Sequence, residues 1–268
     1  MAEETHYKGN MGVVTISTAN SNLDGTGTVE QLISGASNGT YIKRLIIKAQ
    51  GDTTLGMIRV FFSKTGTKKR LFLEVPVPEV NRDSDTPTFE AVIWLGMRLE
   101  PENYLYVSTE NAESFNVFAE GLHWSYYATS VRQDTTQLTA VNGLVNSIAA
   151  NTSLSGSGSH TEIYAAGSSA EFKGSSVKTI TIKADGTISN ENMVRLFYGD
   201  GSNKYLFKEI IMPKTPYPAA SLDPPYIEEV IEFEDDFDIP ADKSIYATIQ
   251  SNDDFVITTE GTDWNYAS

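Results

Sequence analysis

The side chains best suited to proton transfer or metal binding are scarce in this chain. It has no cysteine, and its histidines are His6, His123 and His160. Without cysteine there is no disulfide, no thiol nucleophile and no thiolate zinc site. The histidines are not spaced as metal ligands, which recur as H-x-H or H-E-x-x-H so that two imidazoles reach one ion. His6 lies in a polar N-terminal segment, His123 beside Trp124, and His160 in a Ser/Gly-rich stretch. Asp263 stands where His123 would recur in a repeat described below. His123 is therefore read as structural, since a base or ligand needs partners kept with it. Gly156-Ser157-Gly158-Ser159 reads as a flexible turn, not a nucleophile elbow between strand and helix. Gly25-Thr26-Gly27 opens a strand, so no helix N-terminus is there to receive a pyrophosphate. No catalytic residue, cofactor-binding residue or metal ligand is assigned. The expectation is a non-enzymatic protein without a cofactor.

Charged and aromatic clusters remain. Glu232-Phe233-Glu234-Asp235-Asp236-Phe237-Asp238, Asp83-Ser84-Asp85 and Asp253-Asp254 concentrate carboxylates. Calcium takes about six to eight oxygen ligands, yet none of these stretches has the glycine and distal glutamate of an EF-hand loop, so they read as solvated acidic loops. Lys64, Lys68, Lys69 and Arg70 form the one basic knot, on a hairpin. It reads either as an ordinary solvated turn or as a contact for an acidic partner surface. Glu120-Gly121, Trp124 and Tyr126 recur 140 positions later as Glu260-Gly261, Trp264 and Tyr266. Trp and Tyr on a β-sandwich can stack on sugars or fill a core layer. Recurrence at the same place in a repeat favours packing, so Trp124, Tyr126, Trp264 and Tyr266 are expected in the repeat core.

The elements that position these residues come in two sets. Ala19-Asn20-Ser21-Asn22-Leu23-Asp24-Gly25-Thr26-Gly27 and Ala150-Asn151-Thr152-Ser153-Leu154-Ser155-Gly156-Ser157-Gly158 both read A-N-x-x-L-x-G-x-G. Ile42–Ala49 then matches Val177–Ala184, Met57–Phe62 matches Met193–Tyr198, and Leu71-Phe72 with Glu74 matches Leu206-Phe207 with Glu209. The offset grows in small steps from 131 to 140, as loop insertions would make it. Each repeat alternates with the strand period of two. Leu45, Ile47 and Ala49 should face a core while Arg44, Ile46 and Lys48 mostly face water, and Ile58, Val60 and Phe62 should point inward with Arg59 outward. Turns such as Asp24-Gly25, Asn38-Gly39 and Asp200-Gly201 punctuate about eight short strands per repeat. The fold class is all-β: two tandem antiparallel β-sandwiches, jelly-roll-like. The expected layout is a tail over 1–11, sandwich copy 1 over 12–128, a linker over 129–142 with a helix over 134–141, and copy 2 over 143–268.

The composition sets outer bounds. Hydrophobic residues make up 40% of the 268, enough for real cores. No apolar run is long enough for a membrane-spanning helix, and the polar start with Glu3 and Glu4 does not read as a secretory signal. The net charge of −15 repels nucleic-acid phosphates, and the basic knot lacks interleaved aromatics, so no nucleic acid and no membrane are expected as partners. The charge is uneven. Residues 1–130 hold 11 Lys+Arg against 15 Asp+Glu, and residues 131–268 hold 9 against 20.

The succession Ala19–Gly27, Ile42–Ala49 and Ile58–Phe62, with its second-copy counterparts, resembles a β-sandwich module of tailed-bacteriophage virion proteins bound to the capsid surface. That resemblance covers most of both copies and carries no catalytic signature. It implies a capsid auxiliary, or decoration, protein on the virion exterior. Its partners would be capsid protein, other virion proteins and sibling copies, with self-association. The resemblance implies no particular binding residues; Lys64, Lys68, Lys69 and Arg70 are the candidate capsid contact on their charge alone. The competing reading is a tail or fibre component that binds host glycans.

Overall fold

The structure, a computed structural model, describes residues 5–126, 136–167, 172–185, 188, 190–215 and 227–266. The chain divides into unit 1, Met1–Asn81 with Thr88–Thr135, and unit 2, Thr136–Ser268 with Arg82–Pro87. All regular structure among the described residues is β-strand.

Unit 1 runs β1 (Thr5–Ile16), β2 (Glu30–Ser34), β3 (Thr40–Ala49), β4 (Gly56–Lys64), β5 (Lys68–Val77), β6 (Glu90–Leu99), β7 (Asn103–Thr109) and β8 (Phe115–Tyr126). One sheet has the order β1-β8-β3-β6 and the other β2-β7-β4-β5, with every strand pair antiparallel. Unit 2 runs β9 (Thr136–Val145), β10 (Thr161–Ala165), β11 (Phe172–Ala184), β12 (Asn192–Gly199), β13 (Lys204–Met212), β14 (Glu228–Pro240), β15 (Ser244–Ile249) and β16 (Phe255–Tyr266). Its sheets read β9-β16-β11-β14 and β10-β15-β12-β13. In each unit the first, eighth, third and sixth strands make one sheet and the second, seventh, fourth and fifth the other. This is the jelly-roll order, so the repeat read from sequence is a repeat of topology.

The core of unit 1 is filled from both sheets. Leu45, Ile47 and Ala49 of β3 and Val117 and Ala119 of β8 meet Ile58 and Val60 of β4 and Leu105 and Val107 of β7. Phe62 and Leu73 pack against the same cluster. The inward set expected on β3 and β4 is thus correct. The expectation that Arg44, Ile46 and Lys48 mostly face water is not, because all three are buried. Neighbouring strands satisfy their polar ends. Arg44 Nε lies 2.6 Å from Glu120 Oε2, with the guanidinium 4.9 Å from the Trp94 ring centre. Lys48 Nζ donates to the Thr88 carbonyl at 2.9 Å.

Two sequence expectations need correction. Residues 1–11 were expected to be a tail, but β1 begins at Thr5 and pairs with β8 from Thr5↔Tyr126 to Ile16↔Phe115. An edge strand is held by its backbone and needs no apolar alternation to announce it. A helix was expected over 134–141 within a linker to residue 142, but β9 occupies Thr136–Val145 and pairs with β16 throughout. The helical spacing of Leu138, Val141, Leu144 and Val145 loses to ten consecutive pairings, since an isolated helix so short is marginal in water.

Candidate functional site

The A-N-x-x-L-x-G-x-G motif turns out to be a tied loop. Asn20 Nδ2 donates to the Thr26 and Thr28 carbonyls at 2.9 and 2.8 Å, and its Oδ1 accepts the Asn22 N–H at 3.0 Å. In unit 2, Asn151 Nδ2 donates to the Ser157 and Ser159 carbonyls at 2.7 and 2.9 Å, and Oδ1 accepts Ser153 N–H at 2.9 Å. One amide side chain thereby closes the loop from inside. Gly27 and Gly158 have φ of 77° and 83°, where a Cβ would crowd that same amide. The loop lies against the outward side of the β4 and β12 sheets. Arg59 Nη1 donates to the Asn20 carbonyl at 3.2 Å, and Leu154 clusters with Phe197, Leu206 and Tyr246.

That placement explains why Arg59, although outward, is buried, as is Phe197, which clusters with Leu154 in unit 2. Arg59 Nε pairs with Glu74 at 3.0 Å and Nη2 with Glu110 at 3.2 Å. Its counterpart Arg195 pairs with Glu209 at 3.0 Å and donates to Gln250 at 3.1 Å. His123 also has a structural role. Its Nδ1 is 2.8 Å from the Thr40 hydroxyl. In unit 2 the equivalent Asp263 accepts from the Ser175 hydroxyl and, at 3.3 Å, from Tyr164. Both residues hold the first hydroxyl of the third strand across the sheet, and burial pushes the Tyr164 phenol up to about 12.

The glutamate-glycine pairs at 120–121 and 260–261 have a backbone reason. β3 bulges between Ile42 and Arg44, and β11 between Val177 and Thr179, opposite these glycines. A Cβ on Gly121 would sit 2.0 Å from the Tyr41 carbonyl oxygen, and one on Gly261 2.5 Å from that of Ser176. The side chains of Trp124, Tyr126, Trp264 and Tyr266, expected in the core, lie outside the described residues. Their backbones close β8 and β16.

The basic knot stands on the hairpin from β4 to β5. Lys64, Lys68 and Arg70 are exposed, and Lys69 Nζ lies 4.9 Å from the centre of the Tyr106 ring. Lys204 repeats that contact on Tyr246 at 5.0 Å. Burial, then neighbouring Tyr104, raises the Tyr106 phenol above its ordinary value, so the ring stays neutral beneath the ammonium. β5 is an edge strand, and the next residues after the knot, Leu71 and Phe72, are 37% and 47% exposed.

The same positions in unit 2 are closed. Leu206 and Phe207 are buried, and Phe207 stacks on Phe237 with ring centres 5.1 Å apart. Leu206 clusters with Leu154, Phe197 and Tyr246, while at Phe207 the difference arises in the sixth strand. Between the pairs Thr179↔Glu232 and Val177↔Phe237, β14 has the excursion Phe233–Asp236. Between Arg44↔Trp94 and Ile42↔Met97, β6 has only Leu95 and Gly96. The longer excursion brings Phe233 against Phe237, 5.2 Å between centres, and Phe237 in turn stacks on Phe207 of β13. Sequence reasoning missed Leu71 and Phe72 as surface residues. For Phe72 the available signal was the length difference between the sixth strands.

The remaining candidates are soon placed. Among the described residues no group of three or more His, Asp or Glu side chains is arranged to hold a metal ion. His160 contacts the Phe197 ring edge-on at 4.5 Å, and burial lowers its pKa. Trp94 is 47% exposed on β6, beside Arg44.

No protein-family model matches the chain, and no curated protein matches it. Among solved structures it is similar to the STIV MCP, at 11% identity and a TM-score of 0.28 over 95% of this chain and 96% of that one. It is also similar to the PBSX exported protein XepA, at 10% identity and 0.23 over 97% and 86%. A third is the CBM22-1-CBM22-2 tandem domain from Paenibacillus barcinonensis Xyn10C, at 11% identity and 0.24 over 98% and 93%. Likenesses this remote carry no argument about function.

Proposed function

We propose that this protein is a non-enzymatic structural component of a tailed-bacteriophage particle, an auxiliary protein on the capsid exterior. One observation carries the reading. Two units share a framework of ties, yet only unit 1 exposes an adjacent apolar pair beside a cationic run on its fifth strand, Leu71 and Phe72 next to Lys68, Lys69 and Arg70, whereas β13 exposes Ile211 with Leu206 and Phe207 buried. Cations next to an exposed aromatic on a sheet edge suit an acidic protein surface. The chain as a whole, at −15, suits the outside of a shell better than its DNA-filled inside. Tandem units also let modest contacts add through effective concentration.

The test is co-sedimentation of the full chain with particles lacking it. Wild type is expected to bind, and the variant with Lys64, Lys68, Lys69 and Arg70 all changed to Glu is expected to be lost, with wild-type binding weakened by salt. Equal binding by both would overturn the reading. Exposed Trp94 beside Arg44 favours a second reading, glycan binding by a tail or fibre component. Saccharide binding abolished by Trp94→Ala would establish it.

A further inference from the structure

We infer that the partner of β5 is a second copy of this chain, engaged through its β14. The inference rests on the reading of β5 as the contact strand and names what lies across from it. Lysines on an edge strand are by themselves ordinary protection against unwanted pairing. β5 departs from that pattern because Leu71 and Phe72 are exposed in the same row. A protected edge would not leave them there, and in unit 2 the equivalent pair is buried.

The complement is in the same molecule's other unit. β14 is the edge strand of its sheet and carries Glu228, Glu229, Glu232, Glu234, Asp235, Asp236 and Asp238 with no Lys or Arg. Glu229, Glu232 and Glu234 are exposed, and Val230 among them is 49% exposed. One edge therefore offers cations around apolar side chains, and the other offers carboxylates around an apolar side chain. Each is unlike itself, so the two cannot form a self-complementary two-fold contact through either strand alone. The contact they fit is β5 of one chain on β14 of another, made twice about a two-fold axis in a closed pair or passed from chain to chain in rings and arrays. Complementary fields of this kind speed encounter and fix register, and salt weakens them.

The experiment is sedimentation velocity on the full chain across protein concentration, at low and high NaCl. Wild type is expected to grow beyond its monomer mass of 29.4 kDa as concentration rises, with association weakened at least about tenfold at high salt. The β5 variant Lys68→Glu/Lys69→Glu/Arg70→Glu and the β14 variant Glu229→Lys/Glu232→Lys/Glu234→Lys should each stay monomeric. Mixing the two should restore association, because each then supplies the edge the other lacks. Restoration also shows that both variants are folded, and Phe72→Ala, which changes no charge, should weaken self-association as well. A wild type that stays monomeric at all concentrations, a β14 variant that associates normally, or a mixture that does not associate would overturn the inference. If wild type is monomeric while the β5 variant alone loses particle binding, a capsid protein occupies the strand. The proposed function then stands and the chain-to-chain contact does not.

Discussion

Replacing Asn20 with alanine removes three hydrogen bonds from the loop that covers the outer side of the β4 sheet. The lost contacts are those to the Thr26 and Thr28 carbonyls and from the Asn22 N–H, at 2.8–3.0 Å. At about 1 kcal/mol net for each, and with part of the loss recovered by water at the exposed loop, Asn20→Ala should cost about 2–3 kcal/mol. Asn151 is less buried, and its loop bonds are exposed, so Asn151→Ala should cost less, about 1 kcal/mol. Asn20→Asp separates a specific amide role from mere polarity. The acid keeps an acceptor for Asn22 but turns an oxygen toward two carbonyl oxygens, and should destabilise at least as much as alanine. Two units need not unfold together. The assay is therefore urea unfolding read by amide exchange, on peptides covering residues 20–28 and 151–159 separately. A loss below about 0.5 kcal/mol for Asn20→Ala, the scale of an ordinary surface change, would refute the reasoning. So would an aspartate variant as stable as wild type.

Other consequences follow from the same contacts. Arg195→Met strands Glu209, whose side chain is 2% exposed, and should cost about 3–5 kcal/mol in denaturant unfolding; adding Glu209→Leu should recover most of that loss. Gly121→Ala drives a Cβ into the Tyr41 carbonyl and should cost about 1–3 kcal/mol by thermal or urea unfolding, more than Gly261→Ala, where the gap is wider. The Asn203 N–H, then the Lys243 ammonium, pull the Asp200 carboxyl down to about 2. Its folded pKa lies below the ordinary value of 3.8, so its contribution is fully present above that value and fades as pH falls toward 2. The stability gap between wild type and Asp200→Asn should accordingly close over that window in acid titration.

The two-unit jelly roll was legible because a repeat and a period of two survive in strands that both line a core, as Leu45–Ala49 and Ile180–Ala184 do. The outward faces were not legible. Alternation gave the direction of Arg59 correctly, but direction does not say what lies outside a sheet, and the Asn20 loop lies there. Arg44 and Lys48 were misjudged for the same reason, since their partners Glu120 and Thr88 come from distant positions in sequence. The basic knot was visible as composition. The exposed Leu71-Phe72 next to it was not, because what covers the equivalent pair in unit 2 comes from elsewhere in the chain, Phe237 for Phe207 and Leu154 with Phe197 and Tyr246 for Leu206. Glu232–Asp238 was read as a solvated acidic loop, and its middle, 233–236, is an unpaired excursion, but the strand β14 on either side of it pairs with β11.

The most direct test of the central claim is where the protein resides in phage particles purified from infected cells. Peptides of this chain should co-purify with intact capsids at a fixed ratio to capsid protein, and an antibody against it should label the capsid exterior. Its absence from washed particles, or label confined to tail fibres, would contradict the assignment.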